Sequence, residues 1–143
     1  MADRQVIADF ARSMGIATSG LRAQAGRIRV ISENIANADS TAATAGGDPY
    51  RRKVPTFSSA LDRELDAKVV AMGRIRPDQT AFRIKHEPGN PAADASGNVK
   101  YPNVNPLIEM TDMRDAQRSY EANLNIISAT RRMLSLTLNI LKA

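Results

Sequence analysis

The 143-residue chain has no cysteine and no tryptophan, and it holds one histidine, three phenylalanines and three tyrosines. Missing thiols exclude disulfides and thiolate metal sites in any compartment. With so few rings, a packed core must rest on Ile, Leu, Val, Met and Ala. His86 lies beside Glu87 and has no second His or Cys with which to complete a zinc site. It reads as a strand-end surface residue. Gly46 and Gly47 lack the further glycines and the Lys-Ser/Thr pair of a phosphate-binding loop. Asp62, Glu64 and Asp66 are spaced by two, unlike a helical acid/base pair, and read as a solvated flank to Leu61 and Leu65. No Ser or Thr has a histidine base nearby. The chain reads as a non-enzyme, and no cofactor or metal is expected.

A long apolar run is also missing. The longest uncharged stretch of the last helical pattern, Met133 to Leu141, falls far below the ~20 residues of a membrane span. Asp3, Arg4, Asp9 and Arg12 interrupt the first dozen residues, so no apolar core of a secretory signal is visible. Taken alone, these features point to the cytoplasm. A net charge of +5 invites a nucleic-acid reading, but the charge is spread: +2 over residues 1–35 and +1 over each of 36–60, 61–105 and 106–143. A phosphate-backbone binder concentrates its charge on one face. The tightest basic cluster is Arg51, Arg52 and Lys53, which reads as a solvated loop end with an anionic surface as the rival reading.

What is present is helical periodicity at both ends. Residues 4–37 carry an apolar seam at Ile7, Phe10, Met14, Ala17, Leu21, Ile28, Ile31 and Ile35, broken only by Gln24. Alternating steps of three and four are the coiled-coil signal. Gly15, Gly20 and Gly26 interrupt the same run, and each costs about 1 kcal/mol relative to Ala in a helix. They make an isolated helix poor, while allowing neighbouring backbones to approach closely. A second helix is expected from 105, with Asn105 as N-cap and Pro106 at the first helical position. Its seam runs Met110, Met113, Gln117, Tyr120, Leu124, Ile127, Arg131, Leu134, Leu138 and Leu141. A second stripe runs Ile126, Ala129, Met133, Leu136 and Ile140. A helix apolar on two sides must bury both, and only other chains can cover the second.

Between the helices, Pro49 and Pro55 rule out a helix interior, and 38–60 reads as loop. Residues 61–105 read as a small hairpin-rich region, with strands in "KVVAMGRI" and "AFRIKHEP" and turns in "EPGNP" and "ASGN". The expected fold is mainly α. Terminal segments 1–37 and 105–143 pack as one coiled coil, with a loop and small β-rich insertion over 38–104.

Several segments carry a family resemblance. "ISENIANADST" at 31–41, with "YRRK" at 50–53, is similar to the pattern that closes the N-terminal helix of the flagellar rod and hook family of axial proteins. "NVNPLIEMTDMRDAQRSYEANLNII" at 103–127 is similar to that family's C-terminal helix signature. "GGDPYRRKVPTF" and "PGNPAADASGNVKYPNVNP" resemble its short proximal-rod members. Glu33 and the Ala-rich residues 42–45 depart from the pattern. The resemblance implies a structural subunit of the periplasmic rod, exported through the flagellar type III apparatus without a cleaved signal. Its terminal helices would polymerise helically into an inner tube, as drive shaft and channel wall, with the insertion outward. Implied partners are copies of itself, other rod subunits, basal-body ring or adaptor proteins and the export apparatus. The seam and stripe residues above, with Asn34 and Asn37, become the expected assembly interface. Phe57 and Leu61 in "FSSAL" resemble the export-gate signal of rod and hook subunits, as two apolar anchors one helical turn apart; packing under the insertion is the rival reading. The alternative function is a small basic coiled-coil adaptor that binds nucleic acid or a regulatory partner.

Overall fold

A computed structural model describes residues 2–142, with side chains described from 5 to 140. Helix α1 spans Ala2–Ala36 and α2 spans Pro106–Lys142. Between them lie β1 (Lys53–Val54), β2 (Phe57–Asp62), β3 (Ala67–Met72), β4 (Arg76–Pro77), β5 (Arg83–His86) and β6 (Asn98–Tyr101). The strands form three antiparallel pairs, β1 with β4, β2 with β3 and β5 with β6. The architecture is thus mainly α, with small strand pairs inserted between two long helices.

The chain divides into two units, and both helices run through each. One holds α1 as far as Arg27, the β2–β3 hairpin and α2 from Asp115. The other holds Ile28–Thr56 and Arg74–Arg114. Each unit takes the start of one helix and the end of the other.

In the first unit the glycines of α1 are seats. A Cβ at Gly15 would lie 2.3 Å from Leu65 Cδ1, and one at Gly26 would lie 2.3 Å from Met72 Sδ. The hairpin rests on α1 at these two points. It is tied there by Arg12 Nε donating to the Leu65 carbonyl (2.9 Å) and by the Val70 N–H donating to Ser19 Oγ (3.2 Å). A Cβ at Gly20 would lie 2.9 Å from the Asn123 side-chain amide of α2. The hairpin turn is held by Asp62 Oδ1, which accepts from the N–H groups of Glu64 and Leu65. Asp66 takes a positive φ of 48° there, a region that Asp tolerates better than most residues.

In the second unit a small core forms where Val99 and Tyr101 of β6 meet Ala92. α2 opens as its sequence indicates: Asn105 Oδ1 accepts from the Leu107 N–H at 3.1 Å, and Pro106 needs no donor.

Three expectations are corrected. The loop read over 38–60 contains β1 and the first four residues of β2. β6 starts at the last residue of the expected "ASGN" turn and runs through residues of the hairpin-rich region to which no strand was assigned; its burial alternates, with Val99 and Tyr101 inward. The seam of α2 is shifted. Met113, Tyr120, Ile127 and Leu134 face inward, but their companions are Glu109, Ala116, Asn123, Thr130 and Thr137, each one residue before the expected position. Met110, Gln117, Leu124, Arg131 and Leu138 are exposed. At Asn123 the close approach of Gly20 leaves little room for a larger side chain, and Glu109 is held inward by Asn34 and Arg52. Leu141 falls outside the described side chains.

Candidate functional site

Asn34, in the last turn of α1, is buried, and all its hydrogen-bonding capacity is used. Its Nδ2 donates to the Lys53 carbonyl (2.8 Å) and to Glu109 Oε2 (3.0 Å). Its Oδ1 accepts from the Tyr50 hydroxyl (2.8 Å) and the Lys53 N–H (2.9 Å). Two donors and two acceptor positions are all that an Asn amide offers. Glu109, in the first turn of α2, has no exposed surface. Its second oxygen accepts from Arg52 Nε at 2.6 Å. Arg52 also reaches Asp78 Oδ2 at 3.4 Å and Asp112 Oδ2 at 3.7 Å.

Asn103 braces the same node. Its Oδ1 accepts from the Arg52 N–H at 2.8 Å, and its Nδ2 reaches the carbonyl of Asp78 and the hydroxyl of Thr80. Lys53 pairs with Glu33. The Arg51 guanidinium lies 4.2 Å over the Phe82 ring and donates to the Asp78 carbonyl. Each of the three cations of the basic cluster thus has a protein partner within the unit, so the cluster is not a free, solvated loop end.

The electrostatics follow from burial and pairing. Burial pushes the Tyr50 phenol up to about 12, and the Glu33 and Glu109 carboxylates add to the shift. Burial opposes the charge of Arg52, but its bonds to Glu109 and then Asp78 outweigh that and hold the guanidinium above its ordinary value. The Thr80 N–H, ahead of the Thr80 hydroxyl and Arg52, lowers the Asp78 carboxyl. These groups hold chain segments together. Among the described residues no three His, Asp or Glu converge as a metal site.

The residues expected at an assembly surface separate into two sets. Asn34 and Ile31 are buried within their own unit and present no surface to another copy. Asn37 closes α1, its Nδ2 donating to the Glu33 carbonyl. Phe10, Met14, Leu21, Ile28 and Ile35 are half-buried, while Ile7 is exposed; Ala23 and Val30, outside the expected seam, are buried. On α2, Ile126, Met133, Leu136 and Ile140 are 48 %, 51 %, 62 % and 76 % exposed. They form a continuous unpartnered stripe.

Phe57 and Leu61 are exposed too, but they stand on β2 and not on a helix. Four strand residues span about 13 Å at ~3.3 Å each, against about 6 Å for one helical turn. The two anchors share a face without forming a helical pair, so helix-in-groove docking does not describe them in this fold. Sequence reasoning missed the roles of Tyr50, Arg52, Asn103 and Glu109. Polar residues at element ends carry no periodic signal; the one pointer to the node is that Asn34, Tyr50, Arg52, Asn103 and Glu109 all fall within the motifs that carry the family resemblance.

Known families match at both ends of the chain. Residues 14–43 match the model described as flagella basal body rod protein, and residues 95–140 match that of the flagellar basal body rod FlgEFG protein C-terminal region. The chain is 53 % identical over 128 residues to the flagellar basal-body rod protein FlgC of Agrobacterium fabrum, covering 90 % of this chain and 92 % of the relative. It is 38 % identical to the FlgC of Bacillus subtilis, covering 90 % and 95 %. It is also 38 % identical to that of Salmonella typhimurium, covering 87 % and 92 %.

Proposed function

This chain belongs to the FlgC family of flagellar basal-body rod proteins, and from that premise we propose how it is built into a rod. It is a structural subunit of the flagellar basal-body rod, and its place is the proximal rod. Subunits polymerise helically through their terminal helices, which form the wall of the drive shaft and export channel, with the insertion 38–104 turned outward. The rod lies in the periplasm, and the chain reaches it through the flagellar type III apparatus without a cleaved signal. Other rod subunits and the surrounding ring or adaptor proteins complete its neighbours. Phe57 and Leu61 remain candidates for the export contact, as exposed strand residues.

The observation that carries the assembly reading is the stripe Ile126, Met133, Leu136 and Ile140. Each side chain is about half exposed or more, beside the inward row of α2 and uncovered by this chain. Fully burying a residue of this size stabilises by about 1.5–3 kcal/mol, so four of them supply ample driving force for contact with another chain. The rival reading as a basic adaptor is not favoured, because Arg51, Arg52 and Lys53 are engaged inside their unit.

Leu136→Asp tests the proposal. Sedimentation of the parent is expected to show species that grow with concentration, as an open helical contact allows. The variant should remain small and keep its helical circular dichroism. A variant that associates and enters rods like the parent would overturn the assembly reading.

A further inference from the structure

β2 pairs with β3 alone, and its residues Phe57 to Leu61 are all exposed. The direction of its backbone groups follows from one contact. The Val70 N–H donates to Ser19 Oγ in α1, so it points away from β2. Across the ladder, Val70 faces Ser59. In an antiparallel pair of this kind both residues aim their N–H and C=O groups outward. Ser59, and by alternation Phe57 and Leu61, therefore turn their backbone donors and acceptors away from β3. No described residue outside the hairpin bonds to them.

Natural proteins blunt such edges with charge, proline or a bulge. β2 carries none of these from Phe57 to Leu61. The segment Phe57-Ser58-Ser59-Ala60-Leu61 is instead nearly symmetric about Ser59, with a large apolar residue at each end. We propose that β2 pairs antiparallel with β2 of a second copy of this chain, centred on Ser59, to make a four-stranded sheet from two hairpins.

Backbone and side chains both fit this register. Phe57 faces the partner's Leu61, Ser59 faces the partner's Ser59, and Leu61 faces the partner's Phe57. All three positions have outward-directed groups, so each pair exchanges two backbone hydrogen bonds. Across the sheet, one row would read Met72, Phe57, the partner's Leu61 and the partner's Lys68. No like charges meet along it, and aromatic–aliphatic cross-strand neighbours are favourable. A six-residue strand buries far less than the roughly 1,200 Å² of a stable complex, so the pair is weak and reversible. Its symmetry is two-fold and closed, whereas a helical tube needs head-to-tail contacts. The pairing therefore belongs to the unassembled subunit, and it must open before that subunit joins a rod.

The chain's lack of cysteine makes the test direct. In a hydrogen-bonded antiparallel pair the Cα atoms lie about 5.5 Å apart, within the roughly 4.4–6.8 Å that a disulfide spans. Under mild oxidation the full-length Ser59→Cys variant should form linked dimers at least about tenfold faster than Ser58→Cys, whose two copies lie on a diagonal. Mixing Ser58→Cys with Ala60→Cys should restore linkage, since those positions face each other. Ser59→Pro removes an N–H that β3 does not use, and Ser59→Lys charges the edge; added to Leu136→Asp, which removes the open α2 contact, both should shift the remaining monomer–dimer equilibrium to monomer in sedimentation. Equal rates for Ser58→Cys and Ser59→Cys, no linkage in either, or unchanged association in both edge variants would overturn the proposal. None of those results bears on assembly through α2, which the Leu136→Asp variant tests separately.

Discussion

Asn34 and Glu109, 75 residues apart in sequence, are joined by a 3.0 Å hydrogen bond between two buried side chains. The bond ties the last turn of α1 to the first turn of α2 inside one unit, with Arg52 closing the other side of the carboxylate. A buried carboxylate is tolerated only when it is paired and hydrogen-bonded, and Glu109 is both.

Glu109→Gln is expected to destabilise the subunit at the low end of the about 3–5 kcal/mol typical of breaking one side of a buried pair. The low end applies because Asp78 and Asp112 still face Arg52. Asn34→Ala should cost about 1–3 kcal/mol, by leaving the Lys53 N–H and the Glu109 carboxylate short of a partner. The two changes share one network, so the double variant should cost less than the sum, with a coupling of about 0.5–3 kcal/mol. Urea denaturation of the four proteins checks both size and coupling.

Gly15→Ala and Gly26→Ala should differ in sign. Both gain up to about 1 kcal/mol of helix propensity. At Gly26 a new Cβ meets Met72 chiefly at Sδ, the far end of a flexible side chain that can swing aside. At Gly15 it meets Leu65 at Cδ1, Cδ2 and Cγ together, so the whole side chain must move. Gly26→Ala is expected to be neutral or stabilising, and Gly15→Ala to cost about 1–3 kcal/mol as overpacking does. Amide exchange in β3 should rise only for Gly15→Ala, and Leu65→Ala should relieve it.

Stability should fall in strongly alkaline solution through Tyr50. The folded phenol is raised from 10.0 to about 12, so the folded state holds its proton more tightly than the unfolded chain. That contribution is complete below pH 10 and is lost as the pH rises from 10 toward about 12. A tyrosinate cannot donate to Asn34 Oδ1. Tyr50→Phe should lose about 1 kcal/mol at neutral pH and show a shallower alkaline decline. Tyr101, pushed up chiefly by its bond to Glu87, remains in both proteins as an internal control.

The helices are legible because their periodicity is long, and both ends fall within a residue or two of the expected bounds; the strand runs around Val69 and Ile84 are legible too, but the first ends three residues earlier than expected, at Met72, and the second is two residues shorter at each end. The seam of α2 is not legible from apolarity, because on this helix apolar side chains do not mark the buried row. In a close helix contact, small residues such as Ala116 and Thr130 go inward while Leu124 and Leu138 go out. β1 and β4 have two residues each, too few for any pattern. The node was illegible for another reason. Tyr50, Arg52 and Asn103 act through partners distant in the chain, and no local spacing announces a polar residue that will be buried.

That corrected seam separates two substitutions the sequence would rank alike. Leu124 and Ile127 both belong to the apolar pattern of α2. Leu124 is 43 % exposed, while Ile127 is half-buried in the row that includes Met113, Tyr120 and Leu134. An aspartate at 124 keeps its carboxylate in water and should change subunit stability by no more than about 0.5 kcal/mol. An aspartate at 127 must be partly desolvated without a partner, at a cost of several kcal/mol. Leu124→Asp should therefore fold normally by circular dichroism and thermal melting, yet fail to assemble where another chain covers that face. Ile127→Asp should melt earlier and lose assembly only as a consequence. Equal loss of melting temperature in the two variants would mean that Leu124 lies in the intrachain seam after all, and a Leu124→Asp subunit found in normal rods would mean that this part of α2 faces solvent there.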